Sequence, residues 1–416
     1  MKSIIKKITG SVLIALLAVA FLTSCNKDVE QFVDIPLPVV TTAKTIGDSI
    51  YAIPRDTLFY KILVKGGLLP IINNRANNFT IFVPDSTAVK QFVSAATGGA
   101  VPVTASNAVF SSFILGAFPA ANAAAIGSYA IVPQAFPTTS IPAVFPNFPL
   151  PTLLNPAPTL SAFLRFDVYP TTRNGNWVNN IPIVEPNIIT GNGIIHHTAA
   201  VLVPPQRAVW ERLNTDIELT YFKAAILRAD QDPAAPGALV AALNNIGANL
   251  TVFAPIDAAV QPVLFGAIYQ GLIASGVPPA TAFAQATAAS STPAGFNLLP
   301  ITTVKGIVVY HIMSKRAFAN NFPTVLANFP TLLNGAIANH PGVGLQVTLG
   351  GLGTASAIAK GVGNATASNL IINPTPDGTP SYGSTPPATP QSYPGKSDQN
   401  YTNGVLHKID QTLLPQ

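Results

Sequence analysis

The residues of this chain with the widest chemical repertoire are five histidines, His196, His197, His311, His340 and His407. Histidine can act as a general acid or base and is a common metal ligand. His196 and His197 are adjacent in a run that is expected to form a strand, where neighbouring side chains point to opposite faces. The two rings therefore cannot readily chelate one ion, and His340 is expected to lie in a loop. The sequence predicts no metal site.

Motifs for phosphate or covalent chemistry are incomplete in this chain. Gly351–Ser356 follows the strand-like Leu345–Leu349 and is similar to a dinucleotide loop, but its third glycine is missing and no βαβ unit with a suitably placed acid follows. We interpret it as a glycine-rich hairpin. The sequence has no nucleophile elbow, zinc-protease motif or Walker loop. Acidic residues are few, and Asp85, Asp257 and Asp410 are interpreted as helix-capping and turn residues and not as a glycosidase pair. We therefore expect no catalytic residue, no cofactor and no enzymatic activity.

The single cysteine, Cys25, stands at the end of a leader-like segment. The positive start of the chain is followed by the uncharged Ile8–Ser24, whose apolar part, Val12–Leu22, is too short for a comfortable membrane span and fits a secretory signal. The run Leu22–Cys25 resembles the bacterial lipobox, in which the cysteine becomes the lipidated first residue of the mature protein. An ordinary signal peptide that ends near a cysteine is the alternative. We predict a lipoprotein signal peptide at residues 1–24 and lipidation at Cys25.

Residues 25–44 are interpreted as the lipidated cysteine and a tether, because they are mixed in polarity, contain Pro36 and Pro38 and show no sustained period. This interpretation makes the membrane a partner through the lipid anchor. It places the protein in the cell envelope, at the outer membrane. Whether the folded part faces the periplasm or the cell surface stays open.

The rest of the chain is built from two similar copies. Asn78–Pro84 recurs as Asn249–Pro255, and Asn192–His196 recurs as Asn403–His407. The first motif is β-rich and ends in proline, and the Asn-Gly pair of the second predicts a turn before a final strand. Repeats of this size suit duplicated globular domains and not a solenoid. The histidine that ends the second motif is equivalent in the two copies, which favours a structural hydrogen bond in each core.

These copies predict two tandem domains, residues 45–205 and 206–416. Apolar residues at steps of three and four between Trp210 and Ala224 predict a helix at the start of the second domain. Ser86 and Asp257 stand two residues after the proline of the β-rich motif, where each is expected to cap the helix that follows.

The motifs resemble those of the fasciclin domain (FAS1, βig-h3 type). Its signature T-V-F-A-P-x-D-x-A is matched closely by Thr251–Ala259 and loosely by Thr80–Ala88, and N-G-V-I-H-x-I-D-x-V-L-L-P is matched by Asn403–Pro415 and Asn192–Pro204. Its Tyr-His pair is matched in the second copy, whereas the first has Ser112-Phe113. The residues that carry the resemblance, all interpreted as structural, are Thr80, Phe82, Pro84, Asn192, Gly193, His196, Thr251, Phe253, Pro255, Asp257, Tyr310, His311, Asn403, Gly404 and His407.

The resemblance implies an α+β fold in which each domain is a β-wedge or sandwich flanked by helices. It also implies a role in adhesion or in contact with matrix or surface proteins, without a general catalytic centre. Two segments of the second domain fit the family poorly. Residues 262–300, which are rich in Ala, Gly and Pro, are interpreted as an inserted helical pair, and residues 373–400 as a long exposed loop.

Charge is scarce along the whole chain. Charged residues make up 9% of the sequence, against about 25% in an average soluble protein. The formal net charge of +5 includes the lysines of the leader, so the chain without its leader carries only a small net charge. Nucleic acid binding would need a dense basic face, and we therefore exclude nucleic acid as a partner. No charged residue occurs from Gln91 to Leu164 or from Ala258 to Val304.

Two functions remain in competition at this point. The first is a lipid-anchored cell-envelope protein that mediates adhesion or protein and matrix contact through two fasciclin domains. The second is a glycan-binding accessory protein of a surface polysaccharide uptake system, to which low charge and many amide and aromatic residues are suited. An exposed aromatic groove around Trp177 or Tyr169 would favour the second function, and a broad apolar patch without a cleft would favour the first.

Overall fold

A computed structural model describes residues 43–350, 353–370 and 397–416. The described residues belong to one compact unit. The signal peptide, Cys25 and nearly all of the tether lie outside the described residues, as does most of the loop predicted at residues 373–400. We call residues 45–205 the first half and residues 206–416 the second half. The boundary between two domains at this position stays a prediction.

The first half is built around a parallel pair of strands. Its helices are α1 (Ile46–Ala52), α2 (Thr57–Lys65), α3 (Leu69–Ile72), α4 (Ser86–Ala96), α5 (Asn107–Gly116) and α6 (Ala120–Tyr129). Its strands are β1 (Phe79–Pro84), β2 (Ile131–Val132), β3 (Leu150–Pro151), β4 (Asp167–Val168), β5 (Pro170–Thr171), β6 (Trp177–Val178), β7 (Ile181–Thr190) and β8 (Gly193–Thr198). Six of the strands form a sheet in the order β2-β1-β8-β7-β6-β5, in which β1 and β8 are parallel.

The second half repeats this arrangement and adds a second sheet. Its helices are α7 (Val209–Thr215), α8 (Thr220–Ala229), α9 (Ala238–Asn244), α10 (Asp257–Ala274), α11 (Pro279–Ser290) and α12 (Ile301–Tyr310). Its strands are β9 (Leu250–Pro255), β10 (Ile312–Met313), β11 (Ala327–Phe329), β12 (Val343–Gly350), β13 (Gly353–Lys360), β14 (Ser368–Asn369), β15 (Gln399–Tyr401) and β16 (Gly404–Ile409). The sheets have the orders β10-β9-β16-β15, with β9 and β16 parallel, and β11-β12-β13-β14. The fold class is α+β, as the resemblance implies.

The central strands are buried on both faces. Alternate residues of β1 point to opposite sides of the sheet, so Ile81 packs with the helices, whereas Phe82 packs with Val178 and Ile181 on the other side. In the second half Val252 lies in the helical core, and the neighbouring Phe253 packs against the sheet that contains β12. Each half thus has two cores, one on each side of its parallel strand pair.

Two local predictions need correction. Asp85, and not Ser86, caps α4, because its carboxylate accepts the Ala88 N–H at 2.8 Å. The helix predicted from Trp210 to Ala224 is broken into α7 and α8, and Ile217 is 49% exposed. The break occurs because the buried Asp216 carboxylate accepts the Glu218 N–H at 2.9 Å, which turns the backbone out of the helix.

None of the described helices alone is long and apolar enough to cross a membrane, whereas α5 and α6 together pass by length and composition but are bent by 108°. The segment predicted as an inserted helical pair contains α10, which begins before Pro262, and α11.

Candidate functional site

His196 and His407 occupy the same buried position in the two halves. Each lies on the last strand of its parallel pair, opposite Phe82 or Phe253, and neither is exposed to solvent. Nε2 of His196 lies 2.9 Å from the Phe136 carbonyl, and its Nδ1 accepts the Asn187 N–H at 3.1 Å. Because a backbone N–H can only donate, Nδ1 has no proton and Nε2 carries it.

His407 makes the same two contacts. Its Nε2 lies 2.8 Å from the Ala317 carbonyl, and its Nδ1 accepts the Asp398 N–H at 3.2 Å. Burial lowers the pKa of both histidines, and the Asp398 carboxylate opposes this effect at His407. Both nitrogens of each neutral ring are therefore occupied by the backbone, which leaves none for a metal.

The threonine and phenylalanine of the first motif complete this cluster. Thr80 Oγ1 donates to the Gln134 carbonyl and accepts the Phe136 N–H, and Thr251 makes the same contacts with Lys315 and Ala317. The histidine ring stacks on phenylalanine, with centroids 5.6 Å apart at Phe82–His196 and 5.5 Å apart at Phe253–His407. The motif thus holds one loop segment against the sheet in each half.

The motif asparagines join the start of each half to its last hairpin. Asn192 Oδ1 accepts the Ile46 N–H of α1 at 2.8 Å, and its Nδ2 donates to the Ile72 carbonyl at the end of α3 at 2.7 Å. Asn403 Oδ1 accepts the Val209 N–H of α7 at 2.9 Å, and its Nδ2 donates to Leu243 at 2.8 Å. Each amide therefore satisfies helix ends that would otherwise lack partners.

The glycines of the motifs allow close approach of neighbouring backbone segments, and the prolines stand at strand ends. A Cβ atom on Gly193 would lie 2.1 Å from the Phe79 carbonyl oxygen, and one on Gly404 would lie 2.6 Å from that of Leu250. These approaches leave no room for a side chain. Pro84 and Pro255 are the last residues of β1 and β9.

Asp257 does not cap the helix that it was expected to cap. It is the first residue of α10, and its carboxylate instead accepts the Tyr221 N–H at 2.9 Å and the Thr220 hydroxyl at 2.6 Å in the first turn of α8. Ser86 in the first half likewise accepts the Leu58 N–H of α2, at 3.4 Å. The two residues share a role in joining neighbouring helices, which their spacing from proline does not reveal.

The Tyr-His pair lies at the junction of α12 and β10. The Tyr310 hydroxyl donates to the Gly342 carbonyl at 2.7 Å. His311 Nδ1 lies 2.8 Å from the Ile307 carbonyl, its Nε2 accepts the Leu413 N–H at 2.9 Å, and burial lowers its pKa to about 4. The neutral ring of His311 thus holds the C-terminal segment in place.

The equivalent pair in the first half is Tyr129-Ala130 and not Ser112-Phe113. The Phe82 N–H donates to the Ala130 carbonyl at 3.0 Å, as the Phe253 N–H donates to His311 at 2.9 Å, and both pairs stand between a helix and a short strand. The first half therefore keeps the tyrosine and lacks the histidine. The prediction from sequence placed the pair one helix too early, because the segment between the two motifs differs in length between the halves.

A cluster of acidic and basic side chains around a buried residue of the last strand in each half was not predicted. His197 Nε2 lies 2.9 Å from the Asp56 carboxylate, and its Nδ1 lies 3.2 Å from that of Glu185. In the second half Lys408 takes the place of His197 and pairs with Asp216 at 2.6 Å. The acidic partners of His197 and Lys408 are far from them in the sequence and belong to no shared motif. The equivalence of the two clusters appears only in the register of β8 and β16, where Lys408 occupies the position of His197.

The two halves meet in an interface rich in asparagine. Arg316 is its centre: its guanidinium donates to Asn249 at 2.9 Å and to the Thr402 carbonyl at 2.8 Å, and lies 5.0 Å from the Tyr169 ring centre. Asn147 of the first half donates its N–H to the Arg316 carbonyl at 3.1 Å. Nearby, side-chain amides cross between the halves: Asn320 to the Asn179 carbonyl, Asn321 to the Val144 carbonyl, and Asn174 to the Asn320 and Phe322 carbonyls.

The aromatic residues proposed for a glycan groove belong to this region and are buried. Tyr169 is 2% exposed, and its hydroxyl donates to Asn249 at 3.3 Å. Burial raises the pKa of Tyr169 to about 12, although Arg316 opposes the shift. Trp177 is 5% exposed, and its Nε1 donates to the Asn174 carbonyl at 2.9 Å. Neither ring therefore lines the exposed groove that would favour glycan binding.

The threonine, phenylalanine and histidine of the motifs thus form a buried, hydrogen-bonded cluster in each half. Among the residues that the structure describes, no group of three or more His, Cys, Asp or Glu side chains is placed to hold a metal ion. The glycine-rich Gly351–Ser356 lies only partly within the described residues, where Gly353–Lys360 forms β13 of a hairpin with β12.

Comparison with known families matches residues 54–204 to the fasciclin domain. Among solved structures, the chain is similar to the FAS1 domain pair of the insect cell adhesion molecule fasciclin I. The identity is 15%, the match covers 86% of this chain and 95% of that chain, and the TM-score is 0.32. No curated protein matches the sequence.

Proposed function

Because the chain is a fasciclin-domain protein, with the matched domain at residues 54–204, we propose that it makes adhesive contacts in the cell envelope. Fasciclin domains are in general adhesion or protein-contact domains without enzymatic activity. In this proposal the protein is lipid-anchored, and two fasciclin domains bind a surface protein or the matrix.

The repeated strand register supports a second fasciclin domain in residues 206–416. Phe82 pairs with His196 in β1 and β8, and Phe253 pairs with His407 in β9 and β16. The hydrogen bonds of the threonine, histidine and asparagine of the motifs are also the same in both halves. Residues remote in sequence would not reproduce this network unless the halves shared one fold.

The leader and Cys25 support anchoring at the outer membrane. Several acyl chains on one cysteine give durable attachment, whereas a single chain gives only marginal binding. Residues 25–44, which end just before Thr45, the capping residue of α1, would serve as the lipidated cysteine and tether.

One observation carries the proposal of contact over catalysis: the family-motif histidines are buried and used entirely by the backbone. The surface that remains is poor in charge, since 9% of residues are charged. Contacts made by such a surface gain little from ion pairs and should depend weakly on salt. The glycan-binding alternative loses the exposed groove at Trp177 and Tyr169 that would have favoured it.

A pull-down from solubilised envelope tests the proposal. The full chain with an affinity tag is compared with an unrelated lipoprotein that carries the same tag, at about 50 and 500 mM salt. We expect one or a few envelope proteins to be retained at both salt concentrations by this chain alone. Equal recovery by the control would contradict a specific contact. Robust turnover in a hydrolase screen, abolished by one point mutation, would overturn the non-enzymatic assignment.

A further inference from the structure

We propose that Lys408 and Asp216 are a site of covalent cross-linking, at which the Lys408 amine and the Asp216 side chain form an isopeptide bond. Nζ of Lys408 lies 2.6 Å from the Asp216 carboxylate, and neither side chain is exposed to solvent. Asp216 stands between α7 and α8, near the start of the second half, whereas Lys408 lies on its last strand, β16. The two reacting groups are thus held in contact by elements from opposite ends of the half.

The pair is enclosed by the helical core of the second half. Leu213 and Leu219, on either side of Asp216 in the sequence, are fully buried in this core. Leu406 belongs to the same core and stands two residues before Lys408 on β16, so both side chains point to the same face of the sheet. The Lys408 side chain therefore enters an apolar region to reach Asp216.

These surroundings favour an amide over two ions. In water, an ammonium and a carboxylate are each stabilised by hydration, which opposes their condensation. The core around Lys408 and Asp216 removes that hydration, and burial of two ions costs far more than burial of one neutral amide. Condensation removes both charges and releases one water molecule.

A second carboxylate is placed to carry protons during the reaction. Oε2 of Glu218 lies 2.5 Å from Nζ of Lys408. The Asp216 carboxylate accepts the Glu218 N–H at 2.9 Å, so one turn of the chain holds both acids beside the amine. Glu218 can take a proton from Nζ and return it to the oxygen that leaves Asp216.

The reaction balances without an oxidant or a cofactor. Glu218 first takes one proton from the Lys408 ammonium, and the nitrogen lone pair then attacks Cγ of Asp216. The negative charge on the oxygens of the tetrahedral intermediate is stabilised by Arg212, whose Nη2 lies 2.8 Å from Oδ2. One oxygen leaves as water with a second proton from Nζ and the proton held by Glu218. One ammonium and one carboxylate thus give one amide and one water.

Two other pairs in the chain lack what this site provides. His197 occupies the position of Lys408 in the first half, beside the Asp56 carboxylate, and its imidazole is not an amine that could form a stable amide. Lys305 lies 2.5 Å from Asp232, but its side chain is 38% exposed, so water solvates this pair. We therefore expect the amide at Lys408 and not at Lys305.

The bond would close most of the second half into a covalent loop. It joins the junction of α7 and α8 to the last strand, and it restricts the conformations of the unfolded chain between them. The enclosed residues could not be extended by tension on the ends of the chain. This property suits an adhesive contact, although the proposed bond does not depend on that function.

Tryptic digestion of the purified and denatured full chain, followed by mass spectrometry, tests the proposal. We expect residues 213–223 joined to residues 397–416, with a mass one water lower than the sum of the two, because trypsin does not cleave after an acylated lysine. Cleavage after Lys305 in the same digest is the internal control. Lys408→Arg keeps the positive charge but should give only separate peptides, and Glu218→Gln should lose most of the linked peptide.

The wild-type digest decides the proposal even if a variant fails to fold. Quantitative recovery of residues 397–408 and 409–416 as separate peptides would overturn it and leave an ion pair only. Equal acylation of Lys305 would also overturn it, since the bond would then not require a buried site. Circular dichroism identifies the variants that fold, and a linked fraction unchanged in folded Glu218→Gln would refute proton transfer through Glu218.

Discussion

His311 should make the second half sensitive to acid. The ring is fully buried, and its Nε2 accepts the Leu413 N–H at 2.9 Å, so a proton on Nε2 would remove this bond. Burial lowers the pKa of His311 from 6.5 to about 4. The unfolded chain therefore binds a proton at His311 near pH 6.5, whereas the folded chain does so only near pH 4.

The magnitude follows from this difference. Each pKa unit corresponds to about 1.4 kcal/mol, so the contribution of His311 to the free energy of unfolding falls by about 3 kcal/mol between pH 7 and pH 4. The loss begins as the pH falls below 6.5 and is complete below about 4. His196 and His407, whose pKa values are also lowered, add to the loss in the same direction.

His311→Ala gives a matched test, because the first half has Ala130 at the equivalent position. Urea unfolding of wild type and variant, followed by tryptophan fluorescence from pH 7 to pH 4, gives the free energy of unfolding at each pH. The variant should be less stable at pH 7, since Leu413 loses its acceptor, but its stability should fall less on acidification, by about 3 kcal/mol. Parallel pH profiles for the two proteins would show that His311 is not the group responsible.

Four further outcomes are expected. A clickable fatty acid should label wild-type cells at this protein and not the Cys25→Ala variant, and equal labelling would rule out lipidation at Cys25. His407→Ala should lower the free energy of unfolding by about 1–3 kcal/mol, and neither wild type nor variant should bind zinc. Zinc bound stoichiometrically by the wild type and lost in the variant would contradict this. Asn403→Ala should lower the free energy of unfolding by about 2–3 kcal/mol, whereas Asn297→Ala, at an exposed position, should change it little. Similar values for both variants would show that the Asn403 amide does not hold the helix ends. Arg316→Leu should separate thermal unfolding into two calorimetric transitions, whereas the exposed Arg165→Leu should keep the wild-type profile; a single unchanged transition in Arg316→Leu would show that Arg316 does not couple the halves.

The parts of the fold that depend on local sequence were predictable. The β-rich motifs form β1 and β9, and the Asn-Gly pairs precede β8 and β16. These signals are local because strand period and turn chemistry are set by neighbouring residues.

The parts that depend on distant partners were not predictable. The helix predicted from Trp210 to Ala224 breaks at Asp216, whose buried carboxylate also pairs with Lys408 on the last strand. The interface at Arg316 joins residues of both halves that share no motif, and it buries the rings of Tyr169 and Trp177. A periodic pattern carries no information about such contacts, since they are set by tertiary packing.

The parallel pairing of β1 with β8 and of β9 with β16 makes each half easy to duplicate. It places an early strand of each half beside its last strand, and Asn192 ties the start of α1 to the final hairpin. The connection between the halves is also short, since only the segment between Thr198 and Val209 separates β8 from α7. A second copy joined in tandem needs no long crossover and disturbs no strand order. The pairing of an early strand with the last strand thus lets the chain grow by whole halves. The asparagine-rich interface then joins the two halves into one compact unit.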